Sequence, residues 1–193
     1  ELGRYEESIS SYNKVIELKP DYSEVYVNLA AVLSVFRPVN FSNELSESYL
    51  RVLNFGKAER PVNLIGPIVT FLKHNDTIKE VIKVTHQKEL NTSALELYLK
   101  LSKTPLFLKI IELCPIPDLE IEGLLKKLRK MLLFERQTLS INMDLLKFQN
   151  SLALQCFTNE FIYEETEEET VAVTSLELEL QKSFSEKGTV SPH

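Results

Sequence analysis

Few residues in this chain stand where they could do chemistry. His74 and His86 are the one pair of imidazoles that could share a metal, twelve positions apart, with Asp76 and Glu89 as loose carboxylate neighbours. A metal-binding helix sets its ligands at i, i+3 or i+4 so that they converge on one face, and this pair does not. Both are expected to be surface or capping histidines. Cys114 and Cys156 are too few for a disulfide framework and read as two buried thiols in a reducing compartment, not a bridge or a redox pair. Gln155, Asn159 and Glu160 sit among bulky apolar residues. Such groups are either buried and hydrogen-bonded to neighbouring helices or form a polar stripe at the solvent edge, and the stripe is the expectation. Glu164, Glu165 and Glu167 to Glu169 could face a metal or a basic partner. Thr166 with Glu169 fits a capping box, though, and acids suit a helix N-terminus, so a structural role suffices. No catalytic or metal-binding set of residues emerges.

The elements that would position these groups are helices. From Cys114 to Phe134, two prolines close what precedes, and Asp118 is placed to cap a new helix. Ile121, Leu124, Leu125, Leu128 and Leu132 then recur at helical spacing, with Lys126, Lys127, Arg129 and Lys130 on the other face. This helix is expected to be the one that the others pack around. Further helices are expected from Ser42 or Asn43 to Phe55, closed by Gly56, and from Pro61 to Leu72, kinked or split at Gly66-Pro67. Others follow after a cap at Asp76 or Thr77, after Thr92 or Ser93, after Thr104-Pro105, and from Asn142 or Asp144 through Ile162. Val81, Ile82 and Val84 would also suit a strand. Residues 171–184 are ambiguous between strand and helix, and Glu, Gln and Lys tip them to helix.

Composition agrees. A chain of 193 residues with 44% hydrophobic and 26% charged residues can bury a real core, and 5 glycines favour helices over a turn-rich β fold. Its net charge of −6 excludes a general nucleic-acid binder, which needs a phosphate-neutralising excess of cations. No apolar run is long enough to span a bilayer, and there is no signal peptide.

At the N-terminal end, Tyr5, Ile9, Tyr12 and Ile16 share one helix face, which ends at Leu18-Lys19-Pro20. Asp21 or Ser23 can cap the next helix, which carries Val25, Tyr26, Leu29, Val32, Leu33 and Phe36 up to Arg37-Pro38. Gly3, Tyr5, Ile9, Tyr12, Leu18 and Pro20 resemble the second helix of a tetratricopeptide repeat, and Tyr26, Leu29 and Ala30 the opening helix of the next. Ser8 and Val15 replace the usual alanines, Ala30 the glycine and Leu33 the tyrosine. The resemblance covers residues 1–36 and implies further repeats upstream, since such units bury their faces only against neighbours. It also implies that Asn28 faces the concave groove, where its amide would donate to and accept from a bound peptide backbone.

Residues 114–129 and 152–163, in their order after the repeat, resemble the helical segment between repeats and catalytic domain in bacterial tetratricopeptide-containing methyltransferases. That likeness implies an enzyme using S-adenosylmethionine. Gly3, Gly56, Gly66, Gly123 and Gly188 are isolated from one another, so the glycine-rich turn of such a cofactor site is missing, and the chemistry would lie after His193.

These readings converge on an all-α chain, tetratricopeptide-type hairpins continuing into an irregular helical array. Residues 1–38 would end the repeat array, 39–187 form a helical domain or linker, and 188–193 begin a linker to a further domain. The expected function is non-catalytic scaffolding in the cytoplasm. A protein or peptide would bind in the repeat groove, with no nucleic acid, membrane or cofactor, and the helices would dock on the downstream enzyme. The alternative makes Gln155, Asn159 and Glu160 a regulatory surface of that methyltransferase, or assigns the repeats to a glycosyl- or sulfotransferase.

Overall fold

In a computed structural model of the chain, residues 2–86, 92–137, 142–159 and 165–187 are described, and all regular structure among them is helical. Ten helices follow in order: α1 (Leu2–Leu18), α2 (Ser23–Val35), α3 (Asn43–Phe55), α4 (Pro61–Leu72), α5 (Asp76–Thr85), α6 (Ala94–Ser102), α7 (Pro105–Leu113), α8 (Leu119–Glu135), α9 (Met143–Thr158) and α10 (Glu167–Lys187). Both segments that could have been strands are helical, in α5 and α10. Pro67 lies inside a single helix, α4, which is not split. Its missing N–H would have bonded the carbonyl of Asn63, an exposed residue.

Most helix starts follow from one polar side chain. Ser42, Ser93, Asp118 and Asn142 each accept the N–H three residues on, at 3.2, 3.3, 3.1 and 2.8 Å. Two expected caps move. Asn75, not Asp76 or Thr77, caps α5 by accepting from Ile78. At α2 the N-cap is Tyr22, and neither Asp21 nor Ser23 serves. There the Val25 N–H already donates to the Tyr22 carbonyl at 3.1 Å, so the backbone turn has closed the helix end. Gly56 ends α3 at φ 68°, a left-handed conformation that costs glycine least.

The packing starts as stacked hairpins and then turns inward. Helix α1 lies on α2, and α2 lies on α3 and α4. Helix α7 then packs against α3, α4, α6 and α9, while α9 also covers α6. Helix α8 rests on α5 and α6, and α10 on α8. The hub is therefore α7, not the α8 stretch the sequence put at the centre. Helix α8 buries one stripe, Ile121, Leu124, Leu125, Leu128 and Met131, with Leu132 only half-buried. Its Lys126, Lys127, Arg129 and Lys130 are half-buried, so the charged face contributes no fully buried residue to the core. Helix α7 buries Leu106, Phe107, Leu108, Ile110 and Ile111 of its nine residues. One contiguous core runs from Ile9 to Leu152 and crosses residue 38 without a break.

Candidate functional site

Arg37-Pro38 stops α2 and Ser42 starts α3, so the connection between them is long for a hairpin. It is nonetheless anchored. Phe36 is 2% exposed, Arg37 Nη1 donates to the carbonyls of Ser34 and Phe36, and Phe41 stacks on Phe71 at 4.8 Å. Beneath it, α1 and α3 leave a cleft of about 810 Å³ with Ile9, Phe36 and Leu45 in its wall. Arg51 spans α3 to α1, donating to Glu17 at 3.0 Å.

Asn13 faces this cleft from the buried stripe of α1, between Ile9 and Ile16. Its Nδ2 donates to Ser48 Oγ at 2.7 Å, and Ser48 Oγ donates in turn to the Glu44 carbonyl at 2.8 Å. Because the Ser48 hydroxyl proton is already committed, the group facing it must be a donor, which fixes the orientation of the amide. Asn13 Oδ1 is left buried without a hydrogen-bond partner. A buried acceptor in that state costs about 1–3 kcal/mol. Sequence reasoning passed over Asn13 and Ser48, although a polar residue on an otherwise apolar stripe was the available signal.

The candidates from sequence lie elsewhere. Asn28 is exposed on α2 and is not part of the α1–α3 cleft. Gln155 is 3% exposed, because Leu145, Phe148, Leu152 and Gln155 fall at i, i+3, i+7 and i+10 on the inward face of α9. The expected solvent-edge stripe does not include it. Leu154 and Phe157 lie off that stripe and are 47% and 68% exposed. Asn159 is half-buried past the end of α9, where its N–H donates to the Gln155 carbonyl at 3.0 Å. Glu160, Glu164 and the run Phe161 to Tyr163 lie outside the described residues, as do Glu89 and 188–193. The structure therefore brings Gln155 and Asn159 together and leaves Asn28 apart.

His74 is half-buried after α4 and the exposed His86 caps α5, so a helix of roughly 15 Å separates them by the usual rise per residue. Among the described residues no three of His, Cys, Asp and Glu converge as a metal site. Both cysteines are free thiols, Cys114 buried and Cys156 half-buried rather than fully so. Burial pushes the Cys114 thiol up from its ordinary value.

The basic face of α8 is occupied within the molecule. Lys127 donates to the Thr85 carbonyl at the end of α5, and Lys130 reaches Thr166 and, at 3.9 Å, Glu169. Thr166 and Glu169 form the capping box the sequence indicated, each accepting from the other's N–H at 3.0 and 3.3 Å. Burial raises the Glu169 pKa, but hydrogen bonds from Thr166 and the nearby Lys130 outweigh it and hold the carboxyl below its usual range. At the other end of α8, Lys73 Nζ donates to Asp118 and Glu120, both at 2.6 Å. This clasp joins the C-terminus of α4 to the N-terminus of α8, each charge suiting its helix dipole. Burial opposes ionisation of Asp118, yet the bonds from Lys73 and the Ile121 N–H hold its carboxyl low.

Among known families, the TPR repeat matches residues 1–34, which are α1 and most of α2. No curated protein and no solved structure matches the chain. The N-terminal hairpin is thus a tetratricopeptide-type unit, and such repeats mediate protein–protein interaction. None of the described glycines belongs to a glycine-rich turn after a strand, since Gly3, Gly66 and Gly123 lie within helices and Gly56 ends one. No helix among the described residues is long and apolar enough to cross a membrane.

Proposed function

We propose that this chain is the non-catalytic interaction and scaffolding part of a larger cytoplasmic protein, placed before a methyltransferase domain. The observation that carries the interaction role is the repeat match over residues 1–34, whose helices form an outer layer fused to the α7-centred body. A partner segment binds the exposed surface of that layer, with Asn28 as a backbone-pairing amide. The body docks the layer on the following domain. The likeness of residues 114–129 and 152–163 to methyltransferase linkers supports the parent's activity. The glycosyl- and sulfotransferase alternatives rest on the repeat alone.

Calorimetric titration of S-adenosylmethionine into this chain tests the division of labour. No binding heat and no methyl transfer to any acceptor are expected, and turnover by this segment alone overturns it. Reading the coding sequence beyond His193 tests the parent. A strand followed by clustered glycines supports methyl transfer, and a stop codon leaves an adaptor only.

A further inference from the structure

We infer that the cleft between α1 and α3 is a second recognition site, and that it takes a short basic segment carrying an apolar side chain. The inference rests on the chain being a partner-binding module but uses a surface that Asn28 does not line. Three features point to this occupant.

Charge is the first. Four carboxylates, Glu6, Glu17, Glu44 and Glu47, border the cleft against two cations, Lys14 and Arg51. Arg51 is committed to Glu17 at 3.0 Å. Glu6, Glu44 and Glu47 make no ion pair among the described residues, so Lys14 alone offsets three carboxylates. A site with that excess attracts Lys and Arg and repels acidic segments.

The orphaned oxygen is the second. Asn13 Oδ1 is buried, unpartnered and fixed as an acceptor by its neighbour Ser48. Water does not reach it in the free chain, so it would accept an N–H from outside, a backbone amide or a Lys or Arg head group, only once the side chains over it shift. Binding such a donor would relieve a cost the free protein already bears.

Shape is the third. The cleft lies within the range of volumes that hold small ligands and short peptide stretches. Its wall offers Phe41, partly exposed, with Val39 at the rim 69% exposed. An apolar side chain seated there would cover Val39 while its basic neighbours reach Glu6, Glu44 and Glu47.

The test pans a random twelve-residue phage-displayed peptide library against the full chain and measures the winners by fluorescence anisotropy. Enriched peptides are expected to carry Lys or Arg beside Leu, Ile or Phe. Their affinity should fall roughly tenfold in the triple variant Glu6→Gln, Glu44→Gln and Glu47→Gln, and fall again as salt rises. Asn13→Leu removes the orphan without leaving a void, so it should hold or raise the melting temperature while weakening binding. Thermal melts of both variants show that the fold survives.

Acidic or uncharged winners overturn the inference, as do basic winners that bind the triple variant unchanged. If winners lose affinity with Asn28→Ala but not with the triple variant, the module reading stands and the second site falls. Failure to enrich any peptide removes both.

Discussion

The outer hairpins and the region around α7 are built from the same part, an amphipathic helix, but bury it to different depths. Among the described side chains of α1, only Ile9 and Ile16 are core residues, whereas α7 encloses five of nine. Buried polar groups do not divide as cleanly. Near α7, the buried Ser151 hydroxyl has two acceptors for its one proton, Glu112 Oε1 at 2.7 Å and the Lys147 carbonyl at 3.1 Å. In α1, the Asn13 oxygen has no partner. Arg136 Nε, at the end of α8, is likewise buried without a partner, so the two regions differ in depth of burial and not in whether every polar atom is satisfied.

The largest test of this contrast is cavity creation. Phe107→Ala, at a fully buried α7 position, should cost about 4 kcal/mol in urea unfolding. Ile9→Ala, beside the cleft, should cost about 2, because fewer neighbours close around it. Equal losses would mean that burial depth does not separate the two regions.

Two buried tyrosines sharpen it. Tyr49 Oη donates to the Leu33 carbonyl at 3.1 Å, in the last turn of α2 where no helical N–H follows. Tyr98 Oη donates to Leu128, inside α8, whose carbonyl keeps a helical partner. Tyr49→Phe should therefore cost about 1–3 kcal/mol and Tyr98→Phe about 1, read from the same denaturation curves. Here the outer layer is the more sensitive, and the reverse order would remove the end-of-helix explanation.

The clasp at α8 gives a pH test. Asp118 titrates below its unfolded value, so its stabilisation is present above about pH 4 and is lost as pH falls through the folded-state value. Asp118→Asn keeps a capping oxygen but drops the charge. It should cost about 1 kcal/mol at pH 7 and flatten the decline of stability as pH falls below about 4. An unchanged slope would show that Lys73 gains nothing from Asp118.

Glycines make the smallest test. Gly56→Ala should cost about 1 kcal/mol through its positive φ alone, since only Asn54 O at 3.9 Å meets an added Cβ. Gly123→Ala, exposed in α8 with open space around it, should raise stability by about 0.5–1 kcal/mol in thermal melts. Gly66→Ala should show no such gain, because Pro67 restricts the residue before it.

What was legible in the sequence was local. Asp118 alone, and Ser42, Ser93 and Asn142 each as one of two candidates, announced their helices because a cap is recognised within three residues. The Thr166–Glu169 box was legible for the same reason. The hub was not. Helix α7 is short and carries Lys109 and Glu112, so nothing within it reveals that α3, α4 and α9 will close around it. The Lys73–Asp118 clasp spans 45 residues and has no local pattern. At the candidate cleft, α1 and α3 were foreseen as helices and the space between them was not.

The wedging of α7 between earlier and later helices changes how the chain should come apart. A linear stack can shed an end unit and keep the remainder, because each unit touches only its neighbours. Here the contact of α3 with α7 closes a long loop, and α9 packs on α7 as well. Amide hydrogens in α3, α7 and α9 should therefore exchange through one shared opening, with α1 fraying earlier.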